Sequence, residues 1–411
     1  MPEIRSAVSM ACVLRDPCQN VHHGIGCGDH HSLQTCCAIA EKIRTFSSIA
    51  LPVWAPARMR NDDAKVIEFE PGFGNTRACA RQSRAYGQHA DGTKGLYMHW
   101  TQDISTAETR IRPYIQRTPV IETTSFGFEH PITLKLEHMQ HTGSFKARGA
   151  FNTLLGGSVP DAGLVAASGG NHGAAVAYAA QRLGFRARVY VPEIAGPAKI
   201  ALIRACGADL EVVSGAYANA LEKARAYENE TGAMQVHAYD APATIIGQGT
   251  CFAEWDAQGL EADTVLIAVG GGGLIAGAMA WYGGSKKIVA IEPETSSALH
   301  AALNAGAPVD VEVSGVAANA LGARRIGAIC YQLAQAQSDM VMSLTVPDDA
   351  ITHAQQRLWQ ERRLLVEPAG ATALAALTSG AYQPAVGERV AVLLCGGNIA
   401  PDPLEVPHAV V

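Results

Sequence analysis

Val265-Leu266-Ile267-Ala268-Val269-Gly270-Gly271-Gly272-Gly273-Leu274-Ile275-Ala276-Gly277 passes from an unbroken apolar run, through four glycines, into a segment of small and apolar residues. The run has no polar alternation, so it reads as a short strand buried on both faces. The glycines let the backbone turn and approach a ligand closely, with several amides pointed inward, which suits a phosphate. No Gly-Lys-Ser/Thr follows, so the loop is not a P-loop. The last glycine and the acidic partner of a dinucleotide fingerprint are also missing. A phosphate loop without a basic residue suggests a small cofactor held by dipoles.

The same strand–turn–helix order extends outward in both directions. Strands are expected at 186–191, 209–213, 234–238, 264–269, 287–291, 341–346 and 389–395. Helices are expected at 172–183, 197–206, 216–228, 243–258, 273–282 and 348–362, and Ser105-Thr106-Ala107-Glu108 has the form of a capping box opening another. Short apolar strands separated by helices indicate an α/β fold of open, mostly parallel sheets with helices on both faces.

Two further glycine turns close strands in this pattern. Ala167-Ser168-Gly169-Gly170-Asn171-His172-Gly173 opens a helix, where backbone amides and the polar side chains can face an anion. Leu393-Leu394-Cys395-Gly396-Gly397-Asn398 ends the last apolar run, and Cys395 is also readable as a plain buried thiol. Ligands of open parallel sheets bind at such carboxyl-terminal strand ends. A lysine, Lys146, stands after Phe145 at the start of the apolar segment Ala150–Leu155. Taken alone it could be a snorkelling lysine at a helix start. If desolvated, its amine is a nucleophile toward an aldehyde. An amine nucleophile, a phosphate loop and two more strand-end turns together describe a pyridoxal-phosphate site.

The composition narrows the alternatives. The 411 residues carry a net charge of −6, 48% hydrophobic and 17% charged residues, and 41 glycines. Such a chain lacks the basic face a nucleic acid would need. No apolar run reaches the roughly 18 residues of a membrane span, and the start has no signal-peptide order, so a cytoplasmic location is expected. Residues 1–97 differ from the rest: six of the ten cysteines lie there, with many His and Arg and little periodicity. They are expected to form a poorly ordered extension, with Met98 as a possible biological start. Cys27-Gly28-Asp29-His30-His31 with Cys36-Cys37 could be metal ligands, although no paired Cys-x2-Cys spacing supports it.

From these motifs, residues 98–400 resemble the fold-type II pyridoxal-phosphate enzymes (tryptophan synthase β-like), and among them the serine/threonine dehydratase and serine racemase group. The resemblance rests on Ser144-Phe145-Lys146-x-Arg148-Gly149-Ala150, Ser168–Gly173, Gly270–Gly273, Glu367-Pro368-Ala369-Gly370 and Cys395-Gly396-Gly397-Asn398 in family order. It implies two domains: a large cofactor-binding one from 98–162 and 241–411, and a small one inserted at 163–240. It implies Lys146 as Schiff-base lysine and general base, with Phe145 packed on the cofactor ring. Asn171 would meet the ring hydroxyl, Gly270, Gly271, Gly272, Gly273 and Leu274 the phosphate, and Cys395 the pyridine nitrogen. Ser168, Gly169, Asn171 and His172 would receive the substrate, and the assembly would be a homodimer.

Two departures from the group shape the expected activity. Racemases of the group carry a serine acid/base where this chain has Gly169, so elimination is expected over racemisation. A divalent cation found in several relatives would use Glu292, but Ala298 stands where the next acidic ligand belongs, so no metal is expected. The chain stops about a dozen residues after the turn Cys395–Asn398, which leaves no room for an appended regulatory domain; a catabolic role without feedback control is expected. The expected reaction is dehydration and deamination of a β-hydroxy amino acid such as L-threonine or L-serine to an α-keto acid and ammonia. A racemase, a lyase for a bulkier β-hydroxy amino acid and a non-catalytic pyridoxal-phosphate protein remain as alternatives.

Overall fold

A computed structural model of the chain describes residues 99–399 except 196 and 216. The expectations for residues 1–97, for Met98 as a start and for the chain end therefore lie outside the described residues. In chain order the first elements are α1 (Trp100–Ile111), β1 (Val120–Thr123), β2 (Ile132–Lys135), α2 (Lys146–Gly156), β3 (Leu164–Ala167), α3 (Asn171–Leu183) and β4 (Ala187–Pro192). Next come α4 (Pro197–Ala205), β5 (Asp209–Val213), α5 (Tyr217–Thr231), β6 (Met234–Gln235), α6 (Pro242–Ala257), β7 (Thr264–Ala268) and α7 (Gly273–Tyr282). The last are β8 (Lys287–Pro293), α8 (Ala298–Ala305), α9 (Ala318–Leu321), α10 (Ala328–Ala336), β9 (Val341–Val346), α11 (Asp348–Arg362), α12 (Pro368–Thr378) and β10 (Val390–Leu393).

Two sheets result, in the order β1-β2-β10-β7-β8-β9 and β5-β4-β3-β6. All pairings are parallel except β1 with β2. Each order reverses once. After β7 the chain builds outward through β8 and β9, then returns to place β10 on the other side of β7. In the smaller sheet β4 and β5 lie on one side of β3 and β6 on the other. A crevice forms where neighbouring crossovers leave in opposite directions, and these reversals fall at the carboxyl ends of β7, β10 and β3. All three glycine turns sit there.

The expected start of the first helix is displaced. The helix begins at Trp100, and the Ser105 hydroxyl donates to the Thr101 carbonyl at 2.8 Å inside it. A serine that bonds one turn back is an interior residue, so the cap pattern at 105–108 marks no terminus here.

A buried group of charges fixes where α2 begins. Arg148 lies two residues after Lys146 and is fully buried. Its guanidinium gives Glu137 two hydrogen bonds, Nε to Oε2 at 2.8 Å and Nη2 to Oε1 at 2.7 Å, and meets Glu254 at 3.0 Å. The Lys135 amine donates to Glu254 at 2.6 Å and to the Thr118 carbonyl at 3.0 Å. Two cations and two anions thus join β2, the turn after it, α2 and α6. Burial by itself would raise the Glu137 carboxyl, but the guanidinium beside it overrides this and holds it below its ordinary value. Glu292, the residue considered above for a cation, accepts the backbone N–H groups of Leu299 at 2.8 Å and His300 at 2.7 Å, so it caps α8.

Removing one partner of a buried ion pair leaves the other charge uncompensated, which costs about 3–5 kcal/mol. Arg148→Met is therefore expected to lower the unfolding free energy by about that much, measured by denaturant titration. Arg112→Ala, which breaks an exposed helix pair with Glu108, is expected to change it little.

Candidate active site

Lys146 is the first residue of α2, and its side chain reaches into a cavity between the three glycine turns. The Nζ donates to the Ala238 carbonyl at 2.9 Å and lies 5.1 Å from the centre of the Phe145 ring. Burial pushes the amine down from its ordinary 10.5 to about 8, against an opposing pull from Cys395. The cavity is lined by Phe145, Asn171, Tyr239, the Ala268–Ile275 segment, Glu367 and Cys395, among others.

The tetraglycine loop forms its floor. Among the described residues, no acceptor takes the backbone N–H groups of Gly271, Gly272, Gly273 or Leu274; the first bond of α7 is Ala276 N–H to the Gly272 carbonyl. Buried amides without acceptors at a helix start fit an anionic group. Protein atoms also crowd the loop closely. A Cβ on Gly271 would stand 2.3 Å from the Tyr239 ring, and one on Gly270 would stand 2.8 Å from the Leu321 Cα. Gly272 has φ +90, and a Cβ there would stand 2.5 Å from Cys330 Sγ. The glycines are therefore needed for the close packing of Tyr239, Leu321 and Cys330 against the loop.

Of the other expected residues, Asn171 and Cys395 line the same cavity, whereas Ser168, Gly169 and His172 are not among its lining residues. The Cys395 thiol is 4% exposed and donates to the Ala369 carbonyl at 3.4 Å; burial raises it so that it stays protonated. Ser168 Oγ accepts the Gly170 N–H at 3.2 Å. The amides of Asn171, His172 and Gly173 open α3 without an acceptor among the described residues, since Ala174 N–H is the first to bond back, to the Gly170 carbonyl. His172 is a neutral imidazole: burial and Lys146 push it down to about 3, and Nε2 bonds the Val236 carbonyl at 2.8 Å. At Gly169 a Cβ would meet the Ala195 Cβ at 2.2 Å, so the position has no room for a side chain.

Two residues quoted only as motif members take part directly. Glu367 is 3% exposed and lines the cavity, and Asn398 bonds Asn171 beside it. A signal for Glu367 exists in the sequence: it is a lone charge before Pro368 and an apolar helix. Asn398 follows two glycines, as a plain turn residue also does, so nothing local marks it. Tyr239 and the Ala238 carbonyl come from the irregular segment after β6, which carries no motif.

The positive φ and the Cys330 contact make Gly272 the least replaceable residue of the loop. Gly272→Ala is expected to lower stability by about 1–3 kcal/mol and to abolish retention of a phosphorylated cofactor. The double change Gly272→Ala/Cys330→Ala is expected to recover only part of the melting temperature, because the backbone strain remains.

Comparison with known proteins agrees with this construction. The family described as "Pyridoxal-phosphate dependent enzyme" matches residues 111–396. The chain is 35% identical to phenylserine dehydratase of Ralstonia pickettii, over 72% of this chain and 92% of that protein. Among solved structures, the T.th. threonine deaminase superposes with a TM-score of 0.68 at 37% identity, covering 74% of this chain and 99% of that one. Maize serine racemase superposes with a TM-score of 0.68 at 30% identity, covering 73% and 93%. The free amides of the tetraglycine loop and the depressed amine of Lys146 fit the phosphate and aldehyde of the family's cofactor, and the chain belongs to the pyridoxal-phosphate dependent enzymes.

Proposed function

We propose that this protein is an ammonia-lyase of the threonine/serine dehydratase type, converting a β-hydroxy amino acid to an α-keto acid and ammonia. The observation that carries the reading is the placement of Lys146, whose amine enters the cavity beside the free amides of the tetraglycine loop and the Cys395 thiol. Lys146, at about 8, exchanges a proton near neutrality, whereas burial raises the Cys395 thiol and pushes Tyr239 up to about 12. Glu367 accepts from Asn171. One base on one face of the substrate suits elimination.

When bound, the cofactor supplies an aldehyde that captures an amine and an electron sink that acidifies the α-carbon. Gly270–Gly273 and Leu274 would hold its phosphate by backbone amides, Phe145 would cover its ring, Asn171 would meet its ring hydroxyl and Cys395 its pyridine nitrogen. A protonated thiol there would be a neutral partner for that nitrogen. The Ser168 hydroxyl and the first amides of α3, with Gly169 giving close approach, receive the substrate carboxylate, and His172 keeps that turn seated on Val236. Lys146 removes the α-proton. Racemisation would need a second proton donor on the opposite face, and the crowding of Gly169 by Ala195 argues against one there.

The relatives support the substrate class, and the phenylserine dehydratase likeness keeps a bulkier β-substituent in view. The same reading has the protein working in the cytoplasm, as a homodimer, in amino-acid catabolism. A panel of L-serine, L-threonine and phenylserine, read as keto-acid release with chiral analysis of residual serine, tests it. Keto acid without D-serine is expected; D-serine as the main product would replace the reading with a racemase. Lys146→Ala is expected to lower turnover by at least about 10³-fold.

The amine titration gives a separate pH test. The neutral amine is the nucleophile, and its lowered pKa makes about a tenth of it neutral at pH 7, far more than for an ordinary lysine. Uptake of pyridoxal phosphate by cofactor-free protein is expected to speed up with pH and level off above about 8. A rate still rising steeply at pH 10 would show an unperturbed lysine.

A further inference from the structure

Asn171 is held from both ends of its carboxamide. Its Nδ2 donates to Glu367 Oε1 at 2.5 Å, and its Oδ1 accepts from Asn398 Nδ2 at 2.8 Å. The other Nδ2 hydrogen of Asn398 goes to the Thr142 carbonyl at 2.7 Å, in the turn that leads to Lys146. Thr142 has φ +60, so this turn is a strained one that Asn398 ties down. Glu367, Asn171, Asn398 and Thr142 thus form one chain through the turns after β3, β10 and β2. There is no slack in it: a Cβ on Gly396 would stand 2.0 Å from Glu367 Oε1, and a Cβ on Gly143 would stand 2.3 Å from Asn398 Oδ1.

An amide has two donor hydrogens on nitrogen and an acceptor oxygen, and rotation by half a turn exchanges them. An ionised carboxylate only accepts, so it selects the orientation that turns Nδ2 toward it. Asn398 donates to the other end and selects the same orientation. With its oxygen engaged and one hydrogen spent on Glu367, Asn171 keeps one N–H for the cavity. We infer that Glu367 is a positioning residue: its negative charge locks Asn171 as a hydrogen-bond donor toward the ring oxygen of the bound cofactor. The assignment rests on the cofactor reading of the site, and not on which amino acid is eliminated.

Glu367→Gln removes the charge at nearly constant volume. A glutamine can donate as well as accept, so the Asn171 amide loses its fixed direction. Absorbance of the cofactor-loaded protein and cofactor affinity read the effect directly. Glu367→Gln is expected to displace the visible band and to weaken pyridoxal-phosphate binding on the order of tenfold, the scale of one charge-assisted hydrogen bond. Glu367→Asp keeps the charge and is expected to keep the band position while binding somewhat more weakly. The double change Asn171→Asp/Glu367→Gln restores a hydrogen bond between the two side chains but presents an acceptor to the cofactor. It is expected to recover the melting temperature of the cofactor-free protein and not the band.

An unchanged band in Glu367→Gln would overturn the assignment. Equal displacement in Glu367→Gln and Glu367→Asp would also overturn it, since the effect would then be one of packing. Recovery of the band in the double variant would do the same. Wild-type protein with a normal band but no keto-acid release would count against the proposed reaction and leave this comparison intact.

Discussion

The buried group of Lys135, Glu254, Arg148 and Glu137 is the constraint on which the rest of the site depends. Each charge would be costly alone in an apolar interior. Together they sum to zero, and each member is hydrogen-bonded, so the arrangement tolerates little displacement. Because Arg148 sits two residues into α2, the ion pairs that hold it also fix the start of that helix. Lys146 therefore enters the cavity from a rigid element and not from a loop. A nucleophile whose reactivity depends on desolvation needs such an anchor, since a small shift would let water back to the amine.

Around that anchor, the sheet order does the gathering. β7, β10 and β3 lie far apart in sequence, yet each ends beside a reversal in strand order. The glycine turn after each strand can then approach the cavity without a crossover helix in the way. What the turns contribute differs in kind. The turn after β7 offers free amides, and the turn after β3 adds a hydroxyl and the first turn of α3. The turn after β10 brings a protonated thiol and Asn398. Fixed dipoles are available there for anionic groups, and Lys146 is the one basic side chain among the described residues of the lining.

Much of this was legible in the sequence. The strand at 264–269, its four glycines and the helix after them stand as the local pattern predicts, because burial on both faces leaves little other use for such a run. The cofactor was legible for a related reason: an aldehyde needs an amine, and a phosphate without a cation needs glycine amides. The capping pattern at Ser105 misled because a hydroxyl can satisfy a carbonyl inside a helix as easily as an amide at its end. The resemblance implied a substrate contact for His172, and the structure adds that its ring Nε2 bonds the Val236 carbonyl.

The sequence by itself determined the α/β class, the three strand-end turns and the lysine proposed as nucleophile, since periodicity, backbone freedom and amine chemistry are local properties. Only the tertiary structure decided what surrounds each of them. Ala195 crowds Gly169, Ala238 receives the lysine amine, and Glu367 and Asn398 hold the two ends of one amide. These are contacts between segments far apart in the chain, and their energies depend on distance and orientation. No local pattern carries that information; packing creates it.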